Sequence, residues 1–187
     1  MDGGQISGPS WLDGERFHIS AKLPAATTRV QLREMLRNLL ADRFALTAHL
    51  ESRVVARYEF AVGGSAHKLR KPGERARPGP DADGFPKLGP PSEEPEIRTI
   101  LGRTRMFLPK ATLKDLAEEL SFHLRRPVVD ITGIEGQYDI GLYWSEEESG
   151  PSLAQAFRDQ LGLRFVEKKG PVEFVVVEHI EKLPTAN

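Results

Sequence analysis

The second half of the chain carries the pattern that most narrows its possible folds: short segments of period two separated by helices whose first turns are written into the sequence. "TRMFLP" (104–109) reads as a short strand. "ATLKDLAEELSFHLRRP" then places Leu113, Leu116, Ala117, Leu120 and Leu124 at three- and four-residue spacing, the single apolar face of an amphipathic helix. Thr112 stands as its N-cap with Asp115 three residues on, a capping box, and Pro127 enforces its end. "PVVDI" and "QYDIGLYW" follow as strands, and "TGIEG" between them supplies turn glycines, so the stretch Arg126–Trp144 is expected to be a β-hairpin. "GPSLAQAFRDQLGLRF" gives another helix, with Ser152 as N-cap, Gln155 at the capping-box position and Gly162 at the left-handed C-terminal position. "LRFVEKK" and "VEFVVVEHI", separated by "GP", are expected to close as a second hairpin. Residues 104–182 thus read β-α-β-β-α-β-β, a complete module in which the helices cover one face of one small sheet as a two-layer α+β sandwich.

The first 62 residues repeat part of this order. "RFHISAKL" (16–23) alternates Phe17, Ile19 and Ala21 against polar neighbours and is expected to be a half-buried strand. "RVQLREMLRNLLADRF" sets Leu32, Met35, Leu36, Leu39, Leu40 and Phe44 on one helical face, capped by Thr27 or Thr28. "ALTAHLE" and "ARYEFAVGG" follow as two strands. The expected organisation is a truncated α+β module over 1–62, a linker or long loop over 63–103, and the complete module over 104–187. The middle segment holds seven of the 14 prolines and seven of the 17 glycines, and such a composition buries too little apolar surface to offset its ordering entropy. Its basic residues (Lys68, Arg70, Lys71, Arg75, Arg77) precede its acidic ones (Glu93, Glu94, Glu96), a sorting open to a docking role or to plain solvation.

Composition removes several function classes. With 26 Lys+Arg against 27 Asp+Glu there is no basic excess of the kind phosphate recognition uses, so nucleic-acid binding gains no support. The absence of cysteine excludes disulfides, thiolate catalysis and Cys-ligated zinc. No apolar run approaches the roughly 18 residues a membrane-spanning helix needs. "MDGGQISGPSWLDGERF" has neither a basic n-region nor an apolar h-region, so it does not read as a signal peptide; it reads as an entry part-way through a folded unit.

The candidate chemistry is sparse. None of the five histidines lies within four residues of another, so local metal-ligand spacing is missing. His49 and Glu51 sit two apart on a presumed strand and share a face, able to share a proton or ligate, or simply to form a solvated pair. His123, near a helix C-terminus, complements the dipole there. Glu146, Glu147 and Glu148 lack the alternation of a calcium loop, and Asp130 and Asp139 flank the expected hairpin as turn caps or, alternatively, as an acid pair. No G-x-S-x-G elbow or P-loop occurs. Trp11 and Trp144, the two tryptophans, are either partner anchors or core residues. The candidate binding residues are therefore Trp11, His49, Glu51 and Trp144, with no catalytic, metal or cofactor site expected.

"TLKDLAEEL" and "SLAQAFRDQLGL" with their strands resemble the short N-terminal module of secretins and TonB-dependent receptors. More widely, "QISGPSWLDGERFHISAK", "QLREMLRNLLADRFALTAHLESRVVARYEFAV", "TLKDLAEELSFHLRRPVVDITGIEGQYDIGLYW" and "GPSLAQAFRDQLGLRFVEKKGPVEFVVVEHIEK" resemble a soil-associated protein family of unknown function frequent in acidobacterial genomes. Members of that family typically begin with an export signal, a strand and a helix, which this chain lacks. The resemblance implies an extracytoplasmic location in the periplasm or outside the cell, two tandem modules with the first truncated, and a non-catalytic module that recognises a protein partner of the cell envelope. The alternatives are an envelope hydrolase or regulator of a membrane peptidase, and a structural envelope protein that self-associates through its truncated lobe.

Overall fold

The computed structural model describes residues 5–64, 66–73, 84–89, 94–148 and 150–185. Its strands are β1 (Ile6–Ser7), β2 (Thr47–Val62), β3 (Glu96–Ile100), β4 (Arg103–Ala111), β5 (Val128–Asp130), β6 (Tyr138–Ser145) and β7 (Leu163–His179). Its helices are α1 (Arg29–Phe44), α2 (Leu113–Leu124) and α3 (Leu153–Ala156), the last running on into a π-helical turn, Phe157–Leu161. One sheet has the strand order β1-β7-β2-β5 and the other β3-β4-β6, so the fold is α+β, built on two sheets rather than the single sheet expected. The chain divides into two compact units: one comprises the N-terminal part to Val54 together with the segment from Pro171 onward, the other Val55–Gly170. This division does not follow the sequence boundaries at 62 and 103, because β2 and β7 each contribute to both units.

The Val55–Gly170 unit holds a continuous core. Phe60, Met106, Leu108, Leu116, Leu120, Ile140, Leu142, Trp144, Phe157 and Leu163 are all buried within one cluster. Alternation in β4 and β6 produces it: the antiparallel register pairs Thr104 with Trp144, Met106 with Leu142 and Leu108 with Ile140 on the inner face. α2 starts as expected, with the Thr112 hydroxyl accepting from Asp115 N–H and the Asp115 carboxylate accepting from Thr112 N–H. It buries Leu113, Leu116, Ala117 and Leu120. Ser121, also buried, donates to the Ala117 carbonyl (2.7 Å) and accepts from Val128 N–H (2.8 Å), which ties the helix to β5.

Several expected strand pairings are replaced. β5 and β6 do not form a hairpin: β5 lies parallel to β2, with Tyr58 opposite Val128, and β6 lies antiparallel to β4 in the other sheet. A short apolar strand such as "VVD" suits a parallel site covered on both faces, whereas β6 alternates as a one-sided strand does. "LRFVEKKGPVEFVVVEH" is one strand without a turn at Gly170-Pro171; a Cβ on Gly170 would stand 2.6 Å from the Arg57 guanidinium, so a side chain there requires that group to shift. β2 is likewise continuous where two strands were expected. "RFHISAKL" forms no strand; Phe17 and Ile19 are 45% and 44% exposed, and Phe17 instead meets Phe44 edge-to-face at 5.1 Å. Ladder pairing needs a free strand edge, and β1 takes its place beside β7 at Val175 and Val176. The 63–103 segment is not a bare linker: it contributes β3, which pairs with β4 through a two-residue turn at Leu101 and Gly102, both at positive φ as a type I′ turn requires. The sorted charges at Arg75, Arg77 and Glu93 lie outside the described residues.

Candidate functional site

In the unit formed by the N-terminal part and the segment from Pro171, the prominent concavity is an apolar groove of about 730 Å³. It is assembled from four pieces. β1 brings Ile6, and the 3-10 turn Ser10–Asp13 brings Trp11 and Leu12. The end of α1 brings Leu40 and Phe44, and β7 brings Val175 and Val177. The turn is fixed by its own backbone, since the Trp11 carbonyl accepts from both Gly14 N–H (3.1 Å) and Glu15 N–H (3.0 Å). Asp13, Glu15 and Arg16 stand at the rim, where Glu15 pairs with Lys182 at 2.6 Å. A half-buried Trp over aliphatic walls with charges at the mouth has the chemistry of a site that takes an apolar group from a polar partner.

α1 begins on a Thr28–Gln31 capping box and packs mainly through its C-terminal turns. Leu32, Leu39 and Leu40 are half-buried, while Val30, Met35 and Leu36 are 67%, 40% and 39% exposed. The helix therefore leaves these three apolar side chains exposed at separate positions around its circumference.

The residues singled out in the sequence have separate fates. Trp11 lines the groove. Trp144 is 2% exposed, packed in the core with the His123 ring edge-on at 5.4 Å, and offers no surface to a partner. His49 and Glu51 do not meet: His49 Nδ1 lies 2.9 Å from Glu178, and Glu51 receives both Nε (3.0 Å) and Nη2 (2.9 Å) of Arg53. That hydrogen bonding holds the Glu51 carboxyl below its ordinary range and raises Arg53. Both pairs are solvent-exposed, in the range where ion pairs contribute little. Asp130 accepts from Thr132 N–H and hydroxyl, a turn cap; Asp139 accepts from the backbone N–H of Lys110 (3.0 Å) and Gly73 (2.8 Å). Among the described residues no cluster of His, Asp and Glu has metal-ligand geometry.

Three polar features escaped the sequence reading. Glu59 on β2 is buried against Arg57. The side-chain amide of Gln160, carried by the π-helical turn, accepts from Tyr143 N–H (3.0 Å) and donates to Tyr143 C=O (2.8 Å), filling on the β6 edge the place a strand would take. Arg105 on β4 is 5% exposed, and its Nε and Nη2 have no hydrogen-bond partner among the described residues. Alternation marks Arg105 as outward-facing, and an outward arginine on a strand normally reads as solvated, so no local signal distinguished it.

No curated protein and no solved structure matches the chain. Residues 1–180 match the family model described as "Protein of unknown function (DUF3738)", and over that length the chain belongs to this family.

Proposed function

We propose that the chain is a non-catalytic recognition module acting outside the cytoplasm, in the cell envelope, and that it holds a protein partner through the apolar groove around Trp11. The observation that carries this reading is the groove itself, an opening of about 730 Å³ walled by Trp11, Leu40, Phe44, Val175 and Val177 and rimmed by Asp13, Glu15 and Arg16. Aromatic and aliphatic anchors inside a charged rim are the usual anatomy of a protein-recognition patch. The resemblance to the short N-terminal module of secretins and TonB-dependent receptors supports a protein partner and an envelope location. The test is affinity capture from a solubilised envelope extract of the encoding organism, with the full chain and its Trp11→Glu variant as parallel baits. One partner retained near stoichiometry by the first bait and lost from the second supports the reading. Equal retention by both removes the groove from it, and no retention by folded wild-type chain removes protein recognition.

A second reading, self-association, draws on the exposed apolar side chains Met35 and Leu36 of α1. It requires a molar mass that rises with concentration in light scattering and falls back in Met35→Lys; a constant monomer mass eliminates it.

A further inference from the structure

We infer that the outer face of the three-stranded sheet is an anion site, in which the guanidinium of Arg105 takes two oxygens of a carboxylate or phosphate group. The inference is independent of the groove and lies within the Val55–Gly170 unit. Register brings the participants together. Arg105 stands opposite Arg98 on β3 and opposite Tyr143 on β6, and Arg103 is two residues before it, so all four project from one face. Like charges directly opposite on neighbouring strands disfavour the sheet, so Arg98 against Arg105 is an arrangement that local stability does not explain. Arg98 is relieved by Glu96 at 2.7 Å. The remaining carboxylate of β6 on this face, Asp139, is already engaged by the Lys110 and Gly73 N–H groups. Among the described residues Arg105 has neither relief.

The two orphaned donors are specific. Nε–H and the adjacent Nη2–H form one edge of the guanidinium, a fork whose spacing matches the two oxygens of a carboxylate or of a phosphate. Arg53 uses the same edge in this chain, with Nε on one oxygen of Glu51 and Nη2 on the other. At Arg105 that fork is buried and, among the described residues, has no partner, a state that costs far more than an exposed arginine and that a bound oxyanion relieves. The segment Gly84–Gly89 crosses the same face: Phe85 meets the Tyr143 ring edge-to-face at 5.1 Å, the Gly84 carbonyl accepts from Arg103 Nη1 at 3.1 Å, and Gly89 N–H donates to Glu96. It shelters the site from water, which strengthens a charge-assisted bond there.

The test uses the full chain labelled with ¹⁵N and follows arginine Nε–H signals during titration with inorganic phosphate and, separately, sodium benzoate, at ionic strength held constant with sodium chloride. The buried Arg105 signal is identified by its slow exchange with water and by its loss in Arg105→Lys, which keeps the charge and lacks the fork. A saturable downfield shift of that signal, with affinity at least tenfold weaker in Arg105→Lys by calorimetry, supports the site; the probe that saturates it names the phosphate or the carboxylate class. No saturable shift with either probe, a shift that merely follows ionic strength, or equal affinity in Arg105→Lys overturns it. Should Arg105→Lys fail to fold, the wild-type titration decides alone: a saturable shift of the slowly exchanging signal supports the site, and its absence refutes it.

Discussion

Removing the carboxylate of Glu59 should cost more than any surface change on the molecule, because it takes away the buried anion that Arg57 and Lys168 share. Glu59 and Arg57 lie two apart on β2 and share a side of the strand; their side chains are 7% and 12% exposed, with Arg57 Nε 3.0 Å from the carboxylate and Lys168 Nζ at 3.6 Å. Breaking a buried pair from one side leaves an uncompensated charge and costs about 3–5 kcal/mol, whereas replacing both partners with apolar groups of similar volume is near neutral. Glu59→Ala should therefore lower the urea midpoint by about 1–5 M, for a slope of about 1–3 kcal/mol per M, and Arg57→Met/Glu59→Leu should recover most of it. The fluorescence of Trp144, buried in the same unit, reports the transition. The Arg57 hydrogen bond holds the Glu59 carboxyl below its ordinary range, outweighing burial, which pushes the other way. A carboxyl depressed in the folded state binds more protons when unfolded. Its contribution is therefore complete above the unfolded value of about 4.3 and is lost as pH falls through the folded value. The stability gap between wild type and Glu59→Gln should narrow on that descent. A Glu59→Ala cost below about 1 kcal/mol, or a gap that stays constant from neutral pH into that acid range, would refute the account.

Two further outcomes follow from the same structure. Gly162 closes the π-helical turn at φ +69°, and a Cβ there would come within about 3.0 Å of the backbone at Ala66 and Lys68, so Gly162→Ala should destabilise by about 1–3 kcal/mol in thermal melts; an unchanged melting temperature contradicts that. Among the described residues, Phe44 and Val172 are the buried apolar side chains of the N-terminal unit, against the whole Phe60-to-Phe165 cluster in the other. Amides of α1 should therefore exchange with solvent well before those of β4, β6 and α2, and equal protection would refute the difference.

What the sequence made legible is what neighbours decide. The capping boxes read at Thr112 and Ser152 both form, and of Thr27 and Thr28 it is Thr28 that caps α1, in a box with Gln31, because a cap involves one turn of chain and no tertiary partner. The burial of Leu113, Leu116, Ala117 and Leu120 followed from spacing alone. Strand partners were not legible, since pairing depends on which edge is free when the sheet assembles. "VVD" and "YDIGLYWS" are close in sequence and separated by glycines, yet they enter different sheets. "GP" at 170–171 looked like a turn and is straight, its glycine standing against a guanidinium from another strand.

The same distinction separates the site residues. Trp11 in "GPSW" and Trp144 in "LYW" each read as either a partner anchor or a core residue, and register parts them. Laid against β4, Trp144 falls on the side of Met106 and Leu108 and is consumed by the core, while Trp11 rests on a turn with no ladder to place it and keeps one side open. Arg105 inverts the usual reading in the other direction. The alternation that sends Met106 inward sends Arg105 out, where it would be an ordinary solvated cation if nothing lay above the sheet. The pieces above it come from the stretch whose prolines and glycines marked it as linker, and "GFPKLG" within that stretch carries the hint that composition averaged away: a phenylalanine and a proline that have no use in solvated chain. Phe85 rests on Tyr143, Pro86 is buried, and Arg105, opposite Tyr143 in the ladder, is buried with no carboxylate on its Nε or Nη2 among the described residues. A charge left in that condition is unfavourable to the fold by itself, and that cost is the physical ground for the oxyanion proposed there.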